Sequence, residues 1–194
     1  MLRTVFLISL SLSVAIGGGA ASAWYLIDRG FGFGAVSVGP WTAYPDRGTP
    51  IADPYSRARF SRQGKLAIGQ AEGIVFSALR DSLGEPLSSR CAYQVEGPIP
   101  PARIWTLYAA VLGPDGMLRA ASGLSTALHS QAILRGEDGS FSVAVGRRPN
   151  PGNWLRIHKT GQFALVLSLY DTAVATSARA IDVELPLIRR LSCD

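Results

Sequence analysis

Residues 149–170, PNPGNWLRIHKTGQFALVLSLY, decide the fold. Pro149, Asn150, Pro151, Gly152 and Asn153 form a dense breaker run, because Pro fixes φ and lacks an N–H while Gly and Asn accept left-handed turns. Trp154 and Leu155 follow directly, so a large aromatic anchors the exit of the loop. Gly161 punctuates again, and Phe163–Tyr170 then reads FALVLSLY. With the two-residue period of a strand, Phe163, Leu165, Leu167 and Leu169 share one face, and Ala164, Val166, Ser168 and Tyr170 the other. One face is strongly apolar and the other mixed. This predicts an inner strand of a sandwich, with a core on one side and partial cover on the other. A helix is the alternative reading, but Gly161 and the β-branched and aromatic neighbours argue for strand.

The same pattern extends outward. Residues 71–80 read as a strand ended by Asp81-Ser82-Leu83-Gly84, and Cys91–Glu96 as the next, closed by Gly97-Pro98 and Pro100-Pro101. Residues 103–112 form a long apolar strand, and Gly113-Pro114-Asp115-Gly116 is a turn leading to Leu118. Residues 130–134 and 140–145 flank Gly136-Glu137-Asp138-Gly139 as a second hairpin, and residues 180–185 give a last strand before Pro186. About seven or eight short strands with turn signals between them predict a mainly β chain, an antiparallel β-sandwich of jelly-roll type. One short helix is expected over Pro54–Gln63, with Asp53 as N-cap and Pro54 at the first helical position. Its Arg57, Arg59 and Arg62 could touch anionic lipid if the helix lies near a membrane; a solvated face is the plainer alternative.

Arg3 precedes an uncharged run that Asp28-Arg29 closes. Residues 5–27 span about 35 Å as a helix, enough for a bilayer core of about 30 Å. Trp24 and Tyr25 sit where an interfacial aromatic pair belongs. Two readings stay open. Ala21-Ser22-Ala23 fits a signal-peptidase site, and cleavage after Ala23 would release a soluble periplasmic protein. The apolar run continues past Ala23, however, which suits an uncleaved single-pass anchor in the inner membrane with the C-terminal domain in the periplasm. Gly30, Gly32 and Gly34 alternate with Phe31 and Phe33, but no strand precedes them, so a flexible linker fits better than a dinucleotide fingerprint. The expected division is 1–29 anchor or signal segment, 30–50 linker and 51–194 β-sandwich.

Beyond the anchor about 165 residues remain, one ordinary domain with length for a real core. Formal net charge is +5 and the sequence pI near 9.6, and 17 of the 19 basic residues are Arg. An Arg-heavy, Ala- and Gly-rich composition reflects genome bias more simply than nucleic-acid binding. No basic run with interleaved aromatics, recognition helix or zinc-finger spacing appears, so no nucleic-acid partner is expected.

Cys91 and Cys193 are the only cysteines. In an oxidising compartment they suggest one disulfide pinning the C-terminal tail to the sheet; two unrelated thiols are the alternative. His129 and His158 form no metal-ligand pattern and lie far from either Cys in sequence, so no metal and no catalytic Cys is expected. Gly123-Leu124-Ser125-Thr126-Ala127 only grazes a nucleophile elbow. Glu72, Glu96, Asp171 and Glu184 are scattered on different strands, and a hydrolytic pair would need two of them to meet in space. No cofactor and no catalytic residue is assigned. The ligand-binding candidates are Arg103, Trp105, Tyr108 and Trp154. Arg103 and Trp105 share a strand face and could stack a planar acid or sugar, with Tyr108 on the opposite face. The plain alternative is an Arg that satisfies carbonyls and a Trp that fills the core.

Asn153-Trp154-Leu155, a Gly six residues on and then Phe-x-Leu-x-Leu-x-Leu-Tyr resemble the bacterial family called domain of unknown function 1214. Ala52-Asp53-Pro54-Tyr55, Ala71-Glu72-Gly73, Cys91-x-Tyr93 and Pro101-Ala102-Arg103-x-Trp105-Thr106-Leu107 resemble its short, membrane-anchored branch. The resemblance runs over residues 39–193. Two positions depart from it: Arg156 stands where the family usually has Pro, and Ser168 where it often has Arg. The family has no agreed activity, so the likeness implies a fold and no mechanism. Its domain often accompanies a companion, domain of unknown function 1254, which implies an envelope protein partner carrying that companion.

The expected function is therefore a membrane-anchored periplasmic β-sandwich that binds a partner or small ligand, a binding or accessory module rather than an enzyme. The alternative is an envelope hydrolase using carboxylates at one end of the sandwich. A concave pocket with two carboxylates, or an acid beside Arg103, would favour the hydrolase, and a flat apolar patch the binder.

Overall fold

The structure is a computed structural model that describes residues 2–29, 34–63, 68–113, 118–120, 127–157, 161–175 and 183–193. The chain divides into two compact units, Met1–Gly34 with Arg47–Ala67, and Ala35–Asp46 with Ile68–Asp194.

The first unit holds two helices. α1, Leu2–Arg29, is uncharged between Arg3 and Asp28, and its segment Leu2–Leu26 is long and apolar enough to cross a membrane. α2, Pro54–Gln63, begins where the sequence predicts. The Asp53 carboxylate accepts the N–H of Tyr55 at 3.2 Å and of Ser56 at 2.8 Å, filling two of the orphan donors at a helix start. Hydrogen bonds from Ser56, above all from its side chain, hold this carboxyl below its ordinary 3.8.

The strands of the second unit are, in chain order, β1 Val36–Val38, β2 Trp41–Ala43, β3 Gly73–Ala78, β4 Cys91–Glu96, β5 Ile104–Leu112, β6 Leu118–Ala120, β7 Leu128–His129, β8 Ser142–Gly146, β9 Asn153–Arg156, β10 Phe163–Tyr170 and β11 Leu187–Cys193. Among the described residues they form two sheets. The larger runs β1-β2-β3-β10-β5-β6, with β7 also on β5, and the smaller runs β11-β4-β8-β9. The mainly β sandwich is as expected.

β10 is the central strand. It pairs along its whole length with β5 and along most of it with β3. Phe163, Leu165, Leu167 and Leu169 enter the core as the alternation predicts, against Ile74 and Phe76 of β3 and Trp105 and Leu107 of β5. The small sheet closes the core with Tyr93, Val95, Val143, Val145, Leu155 and Ile188. The Tyr93 ring meets Phe163 edge-on at 5.8 Å, and Trp105 lies tilted against Phe141 at 5.3 Å. Ala164, Val166 and Ser168 are buried as well, so the mixed face has more than partial cover. Gly73 stands opposite Tyr170, and a Cβ there would run into the Leu169 carbonyl oxygen, which explains the Gly of the Ala71-Glu72-Gly73 motif.

Several expectations are corrected. Val36–Val38 and Trp41–Ala43 lie inside 30–50, the span read as linker, yet they are strands of the large sheet. Trp41 is wholly buried, and its indole N–H donates to the Pro186 carbonyl at 2.7 Å. Residues 51–63 belong with the helical unit rather than with the sandwich. The sandwich is not antiparallel throughout, since β8 and β9 run parallel. Residues 130–134 form no strand, because β8 already has β4 on one side and β9 on the other. Residues 136–139 close only a turn, Gly136 N–H to the Ser140 carbonyl at 2.9 Å. The last strand is β11, beyond Pro186, where it pairs with β4. The first three residues of the expected strand 180–185 lie outside the described residues, as do Phe31, Phe33, residues 114–117, the serine of the elbow-like stretch and His158.

Cys193 falls opposite Cys91 in the β4–β11 ladder, and the two form the disulfide. Beside it a buried junction ties β11 to the turn after β3. Asp81, 2 % exposed, accepts the N–H of Leu83 at 3.0 Å and of Glu85 at 2.9 Å. Its other oxygen lies 3.0 Å from an Arg190 Nη, an ion pair without hydrogen-bond alignment. Arg190 also donates to the Pro86 carbonyl at 3.0 Å and lies 5.7 Å above the Tyr93 ring.

Candidate binding groove

The side of the small sheet that faces away from the core is shaped by alternation. While Tyr93, Val95, Val143 and Ile188 point inward, Gln94 and Glu96 of β4, Ser142 and Ala144 of β8, and Leu187 and Arg189 of β11 point outward. Ser142 and Ala144 of β8 make a low floor beside Gln94 and Glu96 of β4. Two loops raise one wall, the turn around residues 134–140 and the breaker run 150–153, and β11 raises the other. The result is a groove of about 790 Å³, within the range of ligand sites. A second hollow of about 610 Å³ adjoins it between residues 97–102 and 135–141.

Asn153 holds the wall. Its side-chain amide takes both backbone groups of Leu134, donating to the carbonyl and accepting the N–H at 2.7 Å each, and donates to the Ser142 carbonyl at 3.0 Å. A side chain thus does what a strand ladder does elsewhere, and Leu134 is held outward with 67 % of its surface exposed. Leu187 at 48 % and Leu191 at 55 % stand exposed on the other wall. Covering what remains of three leucines is worth roughly 1 kcal/mol each.

The polar floor is internally satisfied. Arg189 meets one oxygen of Glu96 at 2.7 Å, Gln94 donates to the other at 2.9 Å, and the same amide reaches the Ser142 hydroxyl at 3.0 Å. Donors remain on Arg189 and Arg135, and acceptors remain on Glu96, Gln94 and Ser142. The groove can therefore grip apolar side chains along its rims and polar groups, such as those of a peptide backbone, over its floor. Among the described residues Glu96 is the one carboxylate lining it, and no three His, Cys, Asp or Glu come together as a metal site.

The four residues singled out in the sequence do not converge. Trp105 is in the core, its ring forming with Phe141 the base of the second hollow. Arg103 precedes β5 with its side chain exposed, 3.9 Å from the exposed Asp171, a surface pair worth about 0–1 kcal/mol. Its backbone N–H reaches the Tyr170 carbonyl at 3.1 Å, and Asp171 N–H bonds the Glu72 carbonyl at 2.9 Å, so Arg103, Asp171 and the Glu72 backbone share one corner. Tyr108 is half-buried on the outer side of the large sheet opposite Val166, and burial, with Tyr170 adding to it, pushes its phenol up. Trp154 is half-buried on β9 beside Ala144, its indole N–H bonded to the Gly146 carbonyl at 3.1 Å. It adjoins the Asn153 wall and is the candidate nearest the groove in sequence. Leu134, Leu187, Leu191 and Asn153 were not among the sequence candidates, and Glu96 stood there only as one of four scattered carboxylates. The signals available were the breaker run before Trp154 and the exposed-apolar alternation of β11.

Against known families, a model described as Protein of unknown function (DUF1214) matches residues 72–174, more than half of the chain. The chain belongs to that family. The match begins just before β3 and ends after β10, so both walls of the β10 pairing and the Asn153 loop fall within the DUF1214 region, and β11 outside it. No curated protein matches the chain. Among solved structures it is similar to the VPA0106 protein of Vibrio parahaemolyticus, at 13 % identity and a TM-score of 0.60, over 91 % of this chain and 43 % of that one. It is also similar to an uncharacterised protein of Burkholderia cenocepacia, at 16 % identity and a TM-score of 0.45, over 95 % of this chain and 52 % of that one. The chain thus spans about half the length of the solved structures it resembles or less, and the VPA0106 likeness extends to the fold alone.

Proposed function

We propose that this DUF1214 chain is a binding module of the bacterial envelope, held in the inner membrane by α1 with its sandwich in the periplasm, and that the groove takes a segment of a partner protein. The observation that carries the reading is the groove itself, with three exposed leucines on its walls over a floor of polar side chains. Such a surface suits a peptide segment better than a small charged substrate, because apolar anchors and backbone carbonyls alternate along an extended chain. An oxidising compartment agrees with the Cys91–Cys193 disulfide. In VPA0106 the like fold covers under half of the chain, so there it stands beside further structure. An envelope protein carrying the companion domain of the DUF1214 family is the partner we favour.

Photo-crosslinking residues placed at Leu134 and Leu187 in native membranes test this, with Leu83, 88 % exposed on the Asp81 turn, as control. One envelope protein captured from both groove positions and not from Leu83 is the expected result. Equal capture at all three, or none, overturns it. An intact mass beginning at Trp24 would overturn the anchor separately.

A second reading, an envelope hydrolase, draws on the corner where Asp171 lies beside Arg103. Hydrolytic activity on envelope substrates that Asp171→Asn abolishes while the unfolding midpoint is kept would favour it over the binding module.

A further inference from the structure

The positive charge of this protein is not spread over it. The unit built from Met1–Gly34 and Arg47–Ala67 contains Arg3, Arg29, Arg47, Arg57, Arg59, Arg62 and Lys65 against only Asp28 and Asp53, a net +5. That equals the formal charge of the whole chain, and in the other unit 12 basic and 12 acidic residues cancel. We infer that α2 is an interfacial helix that binds the anionic headgroups of the bilayer that α1 crosses.

Three further observations place it there. First, α1 and α2 touch. α1 is exposed along its apolar length up to Ser22, and Ala23 and Leu26, one helical turn apart, are half-buried, so the cover comes at the C-terminal end of the span. Trp24 and Tyr25, mostly exposed, occupy the same end, where an aromatic pair marks the headgroup level. Second, α2 carries Arg57, Arg59 and Arg62 and no acidic residue, while the Arg47 guanidinium, with Nε and one Nη buried, packs 4.1 Å over the Phe60 ring. Third, Ile51, just before α2, leaves 77 % of its surface exposed, an apolar side chain free to enter the acyl boundary below the charges. Basic residues immediately beside a membrane span, with an apolar residue among them, match a surface of anionic phospholipid. Free phosphate would satisfy the arginines and leave Ile51 in water.

The inference rests on α1 being a retained anchor. The test uses the full chain in nanodiscs, either of phosphatidylcholine alone or with about 30 % phosphatidylglycerol. Amide exchange in residues 54–63 is the readout, with Phe163–Tyr170 as the internal control for folding. Exchange in α2 should slow by about fivefold or more in the anionic discs, and the difference should vanish in about 0.5 M salt, where screening is nearly complete. The R57Q/R59Q/R62Q variant should show no difference between the discs while the control segment keeps its protection. Equal exchange of the unaltered chain in both discs overturns the inference and leaves the anchor standing. A chain that enters neither disc, or is recovered starting at Trp24, overturns both.

Discussion

Replacing Asp81 by Ala removes the centre of the junction that ties β11 to the turn after β3. Two backbone N–H groups, of Leu83 and Glu85, lose their acceptor, at about 1–1.5 kcal/mol each. Arg190 loses its anion, and because its side chain keeps 29 % of its exposure, the penalty is below that for a fully buried charge, about 1–2 kcal/mol. The expected loss is about 3–5 kcal/mol, a large part of the stability of an ordinary domain. Asp81→Asn keeps a carbonyl oxygen for the two N–H groups and loses only the charge, so about 1–2 kcal/mol is expected. The D81A/R190M double variant should fall short of the summed single losses by about 1–3 kcal/mol, since removing both ions leaves neither stranded. Urea unfolding of the full chain in detergent, followed by tryptophan fluorescence from the buried Trp41 and Trp105, reports all of these. A D81A loss below about 1 kcal/mol, or strict additivity in the double variant, would refute the claim that this ion pair organises the junction.

Four other outcomes follow from the same geometry. The C91S/C193S variant releases a cross-link between residues 102 apart in sequence and should lose up to about 4–5 kcal/mol; an unchanged melting temperature would count against a stabilising role. Gly73→Ala forces β3 away from β10 and should cost more than about 2 kcal/mol, whereas Gly152→Ala, at φ +85 with open space around it, should cost only about 1–2 kcal/mol by chemical denaturation. Asn153→Ala frees Leu134 and should lose about 1–3 kcal/mol and speed limited proteolysis within residues 134–140; unaltered cleavage there would contradict the wall's dependence on that amide. Asp53 has its folded pKa depressed, so its capping support is present above 3.8 and fades as pH falls below that value; protection of the α2 amides relative to their intrinsic exchange rates should fall over that acid range, and D53N should flatten the change.

What could be read in advance was whatever rested on local period or local chemistry. FALVLSLY announced β10 because a strand at the centre of a sandwich must alternate its largest residues toward the core. Asp53-Pro54 announced α2 because capping needs only neighbouring residues. The two cysteines met because nothing else in the sequence offered either a partner. The misreadings came where tertiary pairing overrode local pattern. Within the expected strand 180–185 only 183–185 are described and they form no strand; Leu187–Cys193, with Arg189 and Arg190 in its middle, pairs with β4 and puts Cys193 opposite Cys91. The strands around Trp41 are three residues each, too short to show a period, and Trp41 is buried through contacts made far along the chain. The groove was hidden for the same reason: its walls come from three distant stretches, two of them joined by one asparagine amide standing in for a ladder. Arg103 and Trp105 share a strand side in sequence, but the core took the indole while Arg103 stayed in solvent.

The position of β10 in the chain sets an order on folding. β3 and β5 are made early and flank an empty place in the large sheet until Phe163–Tyr170 arrives. β4 likewise waits for β11, the last of the described strands. As the chain is made, the apolar edges of β3 and β5 therefore stay open while about 85 and about 50 further residues are added, with pairings that span about 50 to 100 residues still unmade. Nascent chains stopped before Phe163 should hold no sandwich and should depend on chaperones to stay soluble, and the sheet should close in a single late event once β10 slots between its two neighbours.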